Sequence, residues 1–118
     1  MKISAISGVT CQVEDLQRTA EFYEGIGFRP GSQEGGRLTM YVNWFWVTFV
    51  AQEPGQETPD KGAGTSLHMK VDSVDEFHRD LVARGLRPSG PPEKGPARTR
   101  EFALRDPDGH RLVFFEKK

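Results

Sequence analysis

The strongest constraint in this chain is an internal repeat. Val13-Glu14-Asp15-Leu16 recurs as Val71-Asp72-Ser73-Val74, and Gly27-Phe28-Arg29-Pro30 recurs as Gly85-Leu86-Arg87-Pro88, both at an interval of 58 residues. Two blocks in the same order and register mark a duplicated supersecondary unit. The whole chain, at 118 residues, is about one domain long.

Each half opens on alternating residues. Val9, Cys11 and Val13 share one face against Gly8, Thr10 and Gln12, and Leu67, Met69 and Val71 oppose Ser66, His68 and Lys70. That period marks a half-buried strand, which places Cys11 in apolar packing rather than at a reactive site. A helix follows in each half, capped by Asp15 or Ser73. The apolar stripes are Leu16, Ala20, Tyr23 and Val74, Phe77, Leu81. Gly25 or Gly27 stops the first helix and Gly85 the second.

Three extended runs are expected after each helix: 28–33, 37–43 and 44–51, then 86–89, 98–105 and 110–116. Asp106-Pro107-Asp108-Gly109 joins the last two as a tight hairpin. The expectation is therefore an α+β domain of two tandem βαβββ modules, 1–53 and 65–118, with a surface linker over 54–64. Residues 91–96 read as a further loop.

Sixteen basic and 17 acidic residues give a net charge of -1, which provides no electrostatic footprint for nucleic acid or an anionic membrane. The one cysteine rules out an internal disulfide, and no apolar stretch reads as a signal peptide or membrane span, so a cytoplasmic location is expected. A small molecule or a protein is the expected partner.

The segments VEDLQRTAEFYEGIGF, LHMKVDSVDEFHRDLVARGL and FALRDPDGHRLVFFEKK resemble the vicinal-oxygen-chelate superfamily of glyoxalases, bleomycin-resistance proteins and extradiol dioxygenases. The resemblance covers nearly the whole chain. It implies paired βαβββ modules whose curved mixed sheets surround a cleft, usually completed by a homodimer. It also implies four metal-ligand positions, one on the first and one on the last strand of each module. These fall at Gly8, Thr48, Ser66 and Val113. Glycine and valine side chains carry no donor atom, so neither a metal nor any other cofactor is expected.

Alternation from those positions turns Thr10, Gln12, Trp44, Trp46 and Thr48 of module one toward the cleft, with Ser66, His68, Lys70, Arg111, Val113 and Phe115 of module two. Aromatics among a few polar and basic groups suit a planar ligand, so the first expectation is binding without turnover. A metal-dependent lyase or dioxygenase is the alternative, with His68 as general base or displaced ligand and Glu101 as an inward carboxylate. A third possibility is a regulatory or subunit-interaction module that uses the same aromatics at an interface. Glu116 shares a face with Leu112 and Phe114 and is expected to point away, while His78 and His110 read as solvent-facing.

Overall fold

Two adjacent stretches of chain fold on the same plan, as seen in a computed structural model that describes residues 1–52, 65–96 and 98–117. They form two compact units, Met1–Pro59 and Asp60–Lys118. The first contains β1 (Gly8–Val13), α1 (Leu16–Gly25), β2 (Arg29–Glu34), β3 (Arg37–Val42) and β4 (Phe45–Ala51). The second contains β5 (Ser66–Lys70), α2 (Val74–Ala83), β6 (Glu93–Lys94), β7 (Thr99–Arg105) and β8 (Arg111–Lys117). The expected linker over 54–64 lies outside the described residues.

Each unit is one four-stranded mixed sheet, ordered β1-β4-β3-β2 and β5-β8-β7-β6. The first and last strands of a unit run parallel, and the remaining neighbours are antiparallel. The α+β class and the tandem βαβββ order are as the sequence implied. No helix among the described residues is long and apolar enough to cross a membrane.

Local chemistry sets the helix limits. The Asp15 carboxylate accepts from the Arg18 amide at 3.1 Å, and the Ser73 hydroxyl from the Glu76 amide at 3.2 Å. Each satisfies one amide that has no partner within its helix. Glu116 adds a second cap to α2, accepting from the Val74 amide at 3.1 Å, and so points away from the opposite face as expected. Beyond the caps, Gly27 and Gly85 take φ of +111° and +86°, a conformation that side chains with a Cβ adopt only under strain.

The helix of each unit packs one sheet face. Tyr23 is fully buried, with ring centroids 4.8 Å from Phe28 and 4.6 Å from Phe49. In the second unit Phe114 stacks 4.7 Å from Phe77 and 5.2 Å from Phe102. Cys11 is half-buried on the helix side of β1, in register with Phe49. Since Phe49 and Phe114 face the helices, alternation puts residues 46, 48 and 50, and 111, 113 and 115, on the helix-free faces.

Three expectations need correcting. The run 86–89 is not a strand; Pro30, the repeat counterpart of Pro88, does pair within β2, and what sets module two apart is the Pro91-Pro92 pair, which has no amides to donate. The short strand is instead Glu93–Lys94, inside the stretch read as a loop, in register with Glu101 and Arg100. His78 and His110 are each only partly exposed. His78 is half-buried, its Nε2 3.2 Å from the Gly90 carbonyl and its ring edge-on to Phe102 at 5.0 Å. His110 is half-buried in the hairpin, where the buried Asp106 carboxylate accepts the His110 amide at 2.8 Å and the Asp108 amide at 2.9 Å.

Candidate functional site

On the helix-free face of module one, β1 presents Gly8, Thr10 and Gln12, in register with Trp46, Thr48 and Val50 of β4. The Trp46 indole lies directly over Gly8: a Cβ built there would fall among ring atoms Cδ2, Cε2 and Cε3. Glycine is thus required for close approach of a ring rather than for backbone freedom. Thr48 is 5% exposed, and its hydroxyl lies 2.9 Å from that of Thr39 across the sheet. Tyr41 pairs with Trp46 from β3, and the Arg29 guanidinium sits over the Tyr41 ring, 5.5 Å from its centroid. Trp44 departs from its expected place. It stands in the turn between β3 and β4, 66% exposed, because Asn43 takes φ of +53° and ends the alternation before Phe45.

Module two repeats the register with different chemistry. Ser66 pairs with Arg111, His68 with Val113, and Lys70 with Phe115. The Arg111 Nη1 donates to the Ser66 hydroxyl at 3.1 Å. Val113 is fully buried between His68 and Ala103, and His68 is exposed. Glu101 pairs with Phe115 on this face, and its carboxylate lies over Gly95. Trp46 and Arg111 hold equivalent register positions in the two modules. Each reaches over the first residue of the neighbouring parallel strand.

The Glyoxalase/Bleomycin resistance protein/Dioxygenase superfamily model matches residues 5–114. The chain belongs to that superfamily. Its fold is similar to that of a virulence protein from Salmonella typhimurium, with 20% identity, a TM-score of 0.81 and all of both chains covered. A superfamily protein from Nocardioides gives 19% identity and a TM-score of 0.82, covering 99% of this chain and 85% of its own. A bleomycin resistance determinant encoded on the transposon Tn5 gives 23% identity and a TM-score of 0.76, covering 98% and 99%.

The metal site that superfamily resemblance implies does not fit these residues. Gly8 and Val113 have no donor atom, and the Thr48 and Ser66 hydroxyls lack the charge or basicity of carboxylate, thiolate or imidazole. The space a ligand at position 8 would need holds the indole, and at Ser66 a guanidinium stands where a second cation would be repelled. His68 has Val113 as its in-register neighbour rather than a carboxylate. Among the described residues no three His, Cys, Asp or Glu side chains converge.

Of the residues expected in the site, Thr10, Gln12, Trp46 and Thr48 share the helix-free face of module one. Ser66, His68, Lys70, Arg111, Val113 and Phe115 share that of module two. Sequence reasoning missed Tyr41 and Arg105. The hairpin turn fixes Arg105 opposite Arg111 and so carried the signal for it. Nothing comparable marked Tyr41.

Proposed function

We propose that this superfamily member binds a planar, partly aromatic small molecule on a helix-free sheet face, without using a resident metal. The observation that carries this reading is the replacement at the two first-strand positions: an indole covers Gly8 and a guanidinium covers Ser66. A Lewis acid needs donors there, whereas an aromatic face and a charged fork are groups that recognise organic ligands. His68 is treated as a lining residue, since it has neither a carboxylate in register nor a companion histidine on its face.

The test is titration of Trp fluorescence with planar aromatic compounds, and the fold of the Tn5 determinant is reason to include antibiotics. Saturable quenching that survives Trp44→Phe and is lost in Trp46→Phe supports the reading. No saturable response across the panel, or stoichiometric retention of Zn, Ni, Mn or Fe(II) after incubation and desalting, overturns it. Homodimerisation is part of the proposal and rests on the resemblance. Trp44, exposed beside the exposed Val42, is the surface to probe, with Trp44→Asp read by sedimentation.

A further inference from the structure

The end of module two's helix-free face carries two arginines directly opposite each other. Arg105 of β7 and Arg111 of β8 are cross-strand partners at the base of the hairpin. Both line one hollow of about 350 Å³, with Ser89, Gly90 and Pro91 forming part of its rim. Like charges in that relation are destabilising unless something offsets them. Among the described residues neither guanidinium meets a carboxylate. The Arg105 Nη1 donates to the Gly109 carbonyl at 2.9 Å and the Arg111 Nη1 to the Ser66 hydroxyl at 3.1 Å. Each bond orients a guanidinium with a neutral acceptor and leaves most of its five donors available.

The acidic residues of the hollow lie at its other end. Glu101 is four residues from Arg105, about 13 Å along an extended strand. Its carboxylate lies over Gly95, and Glu93 pairs with Glu101. Between the two ends the lining is the half-buried Ala103, whose cross-strand partner Val113 is fully buried. The rim is anchored from two sides, by the Ser89 amide donating to the Ala103 carbonyl at 2.8 Å and by His78 against the Gly90 carbonyl at 3.2 Å.

We infer that module two binds the oxyanion of a small organic acid, a carboxylate or phosphoryl group, between Arg105 and Arg111. The ligand's apolar body lies along Ala103 and the Gly90-Pro91 rim. Paired guanidinium forks match the planar geometry of such anions. The identity of the body rests on the aromatic-ligand reading above, and the anion site stands on the arginines alone.

The experiment separates the two. Arginine Nε–H resonances of the full chain are followed by NMR while inorganic phosphate is added at constant ionic strength, with chloride as control. In parallel, binding of 2-naphthoate and neutral 2-naphthamide is measured by calorimetry. Saturable phosphate shifts at Arg105 and Arg111 are expected, weakened at least about fivefold by Arg105→Gln or Arg111→Gln and unchanged by Arg79→Gln on the exposed side of α2. Naphthoate should bind roughly tenfold tighter than the amide, and Arg111→Gln should remove that advantage. Phosphate shifts no larger than those from chloride overturn the anion site. Equal affinity for the two naphthalenes does so as well. Saturable phosphate binding with neither naphthalene bound upholds the anion site and removes the aromatic reading.

Discussion

Replacing Gly8 with Ala tests whether the Trp46 indole really occupies that residue's side-chain space. The new methyl falls among three ring atoms, so the ring must swing off the sheet. Aromatic side chains bury roughly 150–250 Å², and Trp46 is half-buried. Losing about 80–100 Å² of that contact at about 25 cal/mol per Å² costs roughly 2–2.5 kcal/mol. Gly8 has no positive φ, so Ala offsets about 0.4–1 kcal/mol by restricting the unfolded chain. The net expectation is a loss of about 1–2 kcal/mol, or several degrees in melting temperature. In a Trp46→Ala background the ring is gone, and the same substitution should become neutral or mildly stabilising. Urea unfolding of the four members of the cycle, followed by circular dichroism, measures the coupling, expected near 2 kcal/mol. A Gly8→Ala change with the same effect in both backgrounds would refute the placement of the indole.

Two further substitutions probe the scaffold that positions the site. Asp106→Ala leaves the buried amide acceptor of Asp108 and His110 missing, and should cost about 2–4 kcal/mol, whereas Asp106→Asn retains an oxygen and should cost less than half of that, both read from urea midpoints. Gly85→Ala forces a Cβ onto a φ of +86° and should lower stability by about 1 kcal/mol, while Gly90→Ala, in open space without positive φ, should stay within about 0.5 kcal/mol of wild type by thermal denaturation.

The architecture was legible because its signals are local and occur twice. Asp15 and Ser73 precede apolar stripes in equivalent places, and Asp106-Pro107-Asp108-Gly109 specifies its own hairpin. Errors arose where local pattern was extended across a break. Alternation counted back from Thr48 passed through Asn43, whose left-handed backbone ends the strand pattern and puts Trp44 in the turn. The period of α2 did not reveal that His78 meets Gly90, because that contact is made 12 residues along, by a loop with no period of its own. Trp46 over Gly8 was similarly hidden. A parallel pair has no tight turn to set its register, so the partner of Gly8 follows only once β1 and β4 are aligned.

That register also ties the positions without metal donors to their neighbours within each module. In each, the first-strand residue is small, and a long side chain from the last strand uses the space or the hydrogen bond it leaves. Placing a histidine at position 8 alone would set imidazole against indole, and placing one at 66 would set it against a guanidinium. A donor at either first-strand position therefore requires a paired change, at 8 with 46 or at 66 with 111. Single substitutions meet a steric or electrostatic cost before any metal can offset it. The same pairing lets the two halves diverge in chemistry on one scaffold, apolar and aromatic beside Gly8, cationic beside Ser66.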